Sequence, residues 1–283
     1  MTKINIEEVK CITGHTSSVN SLLLLNDKRV ASCSFDNIIR IYDTSNDYHC
    51  DQVIKRHKKG ISSICELDDG TIVSCSKEHS IMIGNFIIKN PHNDWVYKVI
   101  ALPNNRIASC SIDMKIKIWK SVPPYTIIPI KVLEGHTFYV TSLLYIKERD
   151  LILMMEHFIC GICQHNYFKG LKCCSPNSLY QIDKDIVIVG GMDTFYIMNI
   201  DKCVIKKTIK DRSFGTVHCF LKLRDNKTIL CGCGKGTFCF YDMNTEKYRI
   251  MKNNHNETIN DLLMIDDNTF LSYSNKSIKG WNY

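Results

Sequence analysis

The chain has 283 residues, 45% of them hydrophobic and 23% charged. That balance is globular and excludes a disordered or fibrous class. The formal net charge of +7 comes mainly from scattered lysines with no run of five basic residues, which excludes a nucleic-acid-binding arm and predicts a solvated face. With no signal-type apolar segment near residue 1 and no apolar run of membrane-spanning length, an intracellular protein is expected, cytoplasmic with the nucleus as the alternative, without membrane insertion. Its fifteen cysteines are then expected to be reduced thiols.

Taken in chain order, the elements recur. After His15 come the apolar segment Val19–Leu24, a polar turn at Asn26 and Asp27, the segment Val30-Ala-Ser-Cys-Ser34 and the alternating run Ile39-Arg-Ile-Tyr42. The second unit repeats this from His57 through Asp68-Asp69-Gly70 to Ile72-Val-Ser-Cys-Ser76, and the third from His92 through Ile107-Ala-Ser-Cys-Ser111 to Ile116-Lys-Ile-Trp119. Weaker units follow, anchored at Met155 (with His136), Gly191 and Cys233. A seventh ends at Ser274 with its own His255. In units one to four and seven, the histidine lies 19 residues before the anchor. Seven units of about 40 residues fill the chain, each reading as short strands with period-two alternation and no long helical period. An all-β array of four strands per unit is predicted.

Gly14-His15 with Tyr42-Asp43, Gly135-His136, and Ser109-Cys-Ser-Ile-Asp113 running to Trp119 resemble WD repeats. The resemblance implies one domain over 1–283, a seven-bladed β-propeller of four-stranded antiparallel blades. The ring would be closed by residues 4–12, pairing as the outer strand of the blade that ends at Trp281. It also implies a hydrogen-bonded set inside each blade: His15, Ser32, Asp36 and Tyr42 in the first, and His92, Ser109, Asp113 and Trp119 in the third. Elsewhere the set decays. Glu78 and Gly84 replace Asp and Trp in the second unit, His157 replaces Asp in the fourth, and Lys235 and Lys276 do so in the sixth and seventh, so those turns are expected to be held in other ways.

A Ser/His/Asp set invites a hydrolase reading, but an active site needs one set and a repeat supplies many, so the role expected is structural and no enzyme is expected. Cys33, Cys75 and Cys110 share one repeat position, where a small apolar residue wedged between blades is expected. Cys160-Gly-Ile-Cys163, with His157, His165, Cys173 and Cys174 nearby, has zinc-like composition. It falls on the third strand of unit four, where residues three apart face opposite sides; no metal and no cofactor is expected. Gly232-Cys-Gly-Lys-Gly236 reads as a turn needing positive φ and not as a phosphate loop.

The resemblance places partners on the face carrying the loops before each first strand and the turns between strands two and three. The residues mapped there are Trp95, Tyr97, Phe138, Tyr139, Ile112, Phe35 and Lys77. They read either as one partner-binding patch, since aromatic side chains at a rim are binding anchors, or as cover for blade edges over a core of Val96 and Val140. A scaffold or adaptor that docks proteins or peptides within a complex is the function expected, with no small-molecule substrate. Two alternatives stand beside it: a substrate-recognition subunit of a ubiquitin ligase, although the Trp-Asp-x-Arg docking tetrapeptide is absent, and a nucleic-acid-associated propeller, which a steep salt dependence of binding would reveal.

Overall fold

The computed structural model describes residues 6–122, 126–156, 159–164, 167–172, 177–252, 255–275 and 277–283. Its strands pair into seven four-stranded antiparallel sheets. The innermost strand of each is, in chain order, Val19–Leu24, Ile61–Glu66, Val96–Leu102, Ser142–Ile146, Ser178–Asp183, Val217–Lys222 and Ile259–Met264. Each inner strand packs against those of both neighbours, the seventh against the first, so the sheets stand as blades around a central channel. Among the described residues there is no α-helix, only two short 3-10 turns at Lys147–Arg149 and Gly234–Gly236.

The second strand of each blade explains the repeated Val-Ala-Ser-Cys-Ser pattern. Val30–Ser34 is buried at every position because neighbouring blades cover both its faces, and only small side chains fit at the closest approach. Cys33 packs with Ile61 and Ile64 of the next blade, Cys75 with Val96 and Val99, and Cys110 with Val140 and Leu143. The three thiols are wedged between blades as expected. Burial pushes Cys75 up to about 12 and the other two higher, which makes them unreactive. All eleven cysteines among the described residues with described side chains are free.

Ring closure is also as expected. Glu7–Ile12 pairs antiparallel with Ser277–Asn282, Cys11 opposite Lys279 and Ile12 opposite Ile278. Ile12 is buried against Val19, Tyr273 and Ile278, and Lys279 reaches Glu8 at 2.7 Å.

Inside the blades the polar sets pin the turns. The His92 Nε2 lies 2.8 Å from Ser109 Oγ, Trp119 Nε1 donates to the same oxygen at 2.9 Å, and Asp113 holds Nδ1 at 2.9 Å. His15 repeats the contacts with Ser32 and Asp36, and Tyr42, at the Trp position, is bonded to Ser32. Two units thought to have lost the set keep it by substitution. Glu78 takes His57 Nδ1 at 2.6 Å, its longer side chain replacing aspartate. In the seventh blade Ser274 Oγ sits 2.9 Å from His255 Nδ1, while Trp281 donates to Ser272. The sixth blade replaces the set outright. Phe214, Cys231 and Tyr241 stand at the His, Ser and Trp positions in one apolar cluster, with Phe195 edge-on to Tyr241 at 5.4 Å. Its turn uses Lys235 at φ +61° and Gly236 at φ +67°, where a Cβ would strike the His255 carbonyl at 1.8 Å. Cys160 and Cys163 lie on the strand Ile159–Gln164, opposite Met155 and Ile152. His157, His165, Cys173, Cys174 and Lys276 lie outside the described residues.

Candidate partner-binding site

Five inner strands begin with a β-bulge one residue after a buried anchor. The register slips between Val19 and Ser21, Ile61 and Ser63, Val96 and Lys98, Val217 and Cys219, and Ile259 and Asp261. A bulged residue is left out of its own ladder and its side chain is re-aimed. Asn20 thus donates to the Ile61 carbonyl of the next blade at 2.6 Å, and Ser62 donates to that of Val96. Ser178, the first residue of its strand and paired with Gly190, donates to Val217 O at 3.2 Å. These stitches join blades around the channel mouth.

Tyr97 occupies the bulge in the third blade. Its ring turns toward the fourth blade and stacks on Tyr139 at 6.2 Å, and Phe138 lies against Tyr139 at 4.4 Å. Trp95, on the other side of the buried anchor Val96, stays 37% exposed. The main-chain carbonyl of Trp95 accepts from Ile112 N at 3.1 Å, and the same bond joins Lys77 to Gly60 and Phe35 to Ser18. One backbone rule therefore brings each strand-two turn beside the loop of its own blade.

The side chains then bridge blades. Phe35 packs against Gly60, so close that a Cβ there would sit 2.6 Å from its ring. The Lys77 ammonium lies 3.5 Å from the Phe35 ring centroid and 4.4 Å from that of Trp95. Burial depresses its pKa. Three blades thus contribute one ladder of ring, cation and ring.

All seven residues singled out from sequence lie on one face. They form two touching groups, Phe35–Lys77–Trp95 and Tyr97–Tyr139–Phe138, with Ile112 half-buried beside Trp95 and tied to it through the backbone. Phe35, Trp95 and Phe138 are exposed, whereas Lys77, Tyr97 and Tyr139 are half-buried. Val96 and Val140 beneath them are core, fully buried.

Phe35, Lys77, Trp95 and Tyr97 edge a cavity of about 490 Å³ at the channel mouth. Its wall carries residues that sequence reasoning passed over: Lys98, His218 and Asp261 at or beside the bulges. Burial raises the Asp261 carboxyl, opposed by Lys98, and lowers His218. Lys98 and Asp261 stand in the third and seventh blades, across the channel. The signal for them was a charged residue two positions after an apolar anchor, where other units carry Ser21, Ser63 or Ser142. No group of three or more His, Cys, Asp or Glu side chains able to hold a metal occurs among the described residues.

Comparison with known proteins agrees with the geometry. The repeat family described as WD domain, G-beta repeat matches residues 6–43 and 86–120. Each match runs from an outer strand into the next blade's third strand, the offset that closes the ring. A ribosome biogenesis protein WDR12 homolog from Nematostella vectensis is 28% identical over 155 residues, covering 50% of this chain and 36% of that protein, so the match spans about a third of the relative. In structure, the WD40 β-propeller domain of Doa1 superposes with a TM-score of 0.82 at 14% identity, covering 98% of this chain and 97% of that one. Two stretches match the repeat family in sequence and the whole chain shares the architecture of that solved propeller, so the chain is a seven-bladed β-propeller that carries WD repeats at residues 6–43 and 86–120.

Proposed function

We propose that this chain is a non-enzymatic adaptor that docks a protein or peptide partner on the face bearing Phe35, Lys77, Trp95, Tyr97, Ile112, Phe138 and Tyr139, as a subunit of a complex. The observation that carries the reading is the bridging of three blades by Phe35, Lys77 and Trp95 at the lip of a cavity. Large rings fixed at a rim but left partly in water are what a binding anchor requires, because burial under a partner is still to be gained. The Ser, His and Asp groups that imitate a catalytic set recur in several blades with their polar atoms bonded to one another, which supports a structural role.

Changing Trp95→Ala together with Tyr139→Ala tests this. Each ring contributes about 2 kcal/mol or more when buried under a partner, and the exposed Trp95 and half-buried Tyr139 contribute less than that to folding. Co-purification of the main partner should be lost with the melting temperature nearly unchanged. A large stability loss would make the rings core, and retained partners with retained stability would move docking to another face.

The relative supports a second reading. Its name places it in ribosome biogenesis; carried to this chain, that makes the complex one that assembles RNA with protein and favours the nucleus over the cytoplasm. No helix of the described residues is long and apolar enough to cross a membrane. If the chain touches RNA itself, log affinity should fall steeply and linearly with log salt; a shallow slope leaves protein docking as the mode of attachment.

A further inference from the structure

We infer that the segment docking on this face is an acidic peptide, whose carboxylates meet Lys58, Lys59 and Lys77 beside the exposed ring of Trp95. The inference rests on the docking reading above and adds the chemistry of the partner.

The charge on this side of the rim is unbalanced by construction. Asp36, Glu78 and Asp113, the acids of the first three turns, point inward to His15, His57 and His92, with side chains only 3%, 13% and 6% exposed. Their oxygens also accept main-chain N–H groups from Thr16, Lys58 and Asn93, so they are spent within their own blades. Lys58 and Lys59 are exposed on the neighbouring loop, and their ammonium groups pair with no carboxylate among the described residues. Asp94, on the third-blade loop, is itself engaged: it accepts from Trp95 N at 2.7 Å and lies 3.9 Å from His79.

Lys77 points the same way. Two ring faces stabilise its charge, but a π-face does not use up N–H donors as an oxygen acceptor does. Its ammonium hydrogen-bonds to no oxygen among the described residues. An ammonium placed at the lip of a cavity with donors to spare calls for an anionic acceptor from outside; Lys98, in the same cavity wall, already has Asp261 to answer it. A carboxylate on an extended peptide supplies that acceptor, while apolar neighbours in the peptide cover Trp95 and Phe138.

RNA would also bring negative charge, but base stacking needs open ring faces. Lys77 lies over the rings of both Phe35 and Trp95, and Gly60 crowds the Phe35 ring edge, so these rings offer a base fewer open faces. The rim therefore favours carboxylates on a peptide.

Trp95 is a built-in probe, because Trp119 and Trp281 are buried at 5% and 4% exposure. Decamers of glutamate, of lysine and of uridylate are titrated against the intact protein while its tryptophan emission is followed. The glutamate decamer should shift the emission, with affinity falling as salt rises, and the other two should not. Lys58→Glu with Lys59→Glu should weaken it about tenfold or more, and Lys77→Met should weaken it at unchanged melting temperature. Lys202→Glu with Lys206→Glu, the same charge change on exposed positions of the fifth blade, should leave it unaltered. Absence of a shift, equal loss in the fifth-blade control, or tighter binding of lysine or uridylate would each overturn the inference. If the Trp95/Tyr139 double variant loses its partner while glutamate is ignored, docking stands and the acidic chemistry falls. If glutamate binds through Lys58 and Lys59 while the double variant keeps every partner, the chemistry stands and the docking reading falls.

Discussion

His92 is fully buried, and everything that satisfies it comes from its own blade. Asp113 does the most there: it takes Nδ1, the backbone N–H of Asn93 and that of Lys115, which together hold its carboxyl down at about 2. Asp113→Ala strands those donors and should cost about 1–3 kcal/mol, read as a lower denaturation midpoint; an unchanged midpoint would mean the set contributes nothing to stability. The histidines also set a pH dependence. Burial lowers His15, His57 and His92, and brings His255 down to about 4 with help from Lys279. A depressed histidine pKa means that the unfolded chain takes up a proton that the folded chain refuses, so stability falls as pH drops from about 6.5 toward 4. For His255 the full loss is about 3 kcal/mol. Unfolding measured between pH 7 and 4 should show that slope, and His255→Gln should flatten it whatever it does to stability at pH 7; a slope untouched by the substitution would assign the effect to other groups.

The blade is the level at which the sequence is most legible, and the sixth shows where it stops being so. Units one to three announce themselves because His, Ser and an acid must stand at fixed offsets to bond one another, and polar chemistry leaves a recognisable residue type. In the sixth blade Phe214, Cys231 and Tyr241 do the same work by packing, and packing accepts any shape that fits. Only its spacing remained readable. Phe214→His, which restores the residue usual at that position, should therefore destabilise by about 1–3 kcal/mol, because it buries an imidazole facing a thiol in place of a hydroxyl. Adding Cys231→Ser should recover part of the loss, and a single variant as stable as the parent would show the aromatic cluster to be dispensable. The candidate site was half legible for a related reason. Aromatic residues in loops and at strand starts mark themselves, so Trp95, Tyr97, Phe138 and Tyr139 could be proposed from position alone. The Lys77 ladder was not, since it depends on how neighbouring blades lean together, and neither were Lys98 and Asp261, which the bulges bring to the channel wall.

The whole ring depends on one strand that is distant in sequence from its blade. Without Glu7–Ile12, the strand Ser277–Asn282 becomes an unpaired edge, and the seventh blade keeps three strands. Ile12 would no longer cover Tyr273 and Ile278, a cluster that also holds Val19 and Tyr42 of the first blade, so the loss reaches across the junction that closes the circle. Burying one such isoleucine contributes about 1.5–3 kcal/mol, and the ladder bonds and the Lys279–Glu8 contact add to it. At a few degrees per kcal/mol for a domain of this size, deleting residues 1–12 should lower the melting temperature on the order of 10 °C. The exposed edge should also make the truncated chain self-associate, as unpaired edges recruit other strands. A synthetic peptide of residues 1–12 added in excess should raise the melting temperature again and restore a monodisperse species, and the same peptide with Ile12→Asp should not, because a charge cannot enter the closing cluster. A truncated chain that melts with the full-length chain would refute the closure account, since it would mean that the inner-strand contacts between the seventh and first blades hold the ring without a closing strand.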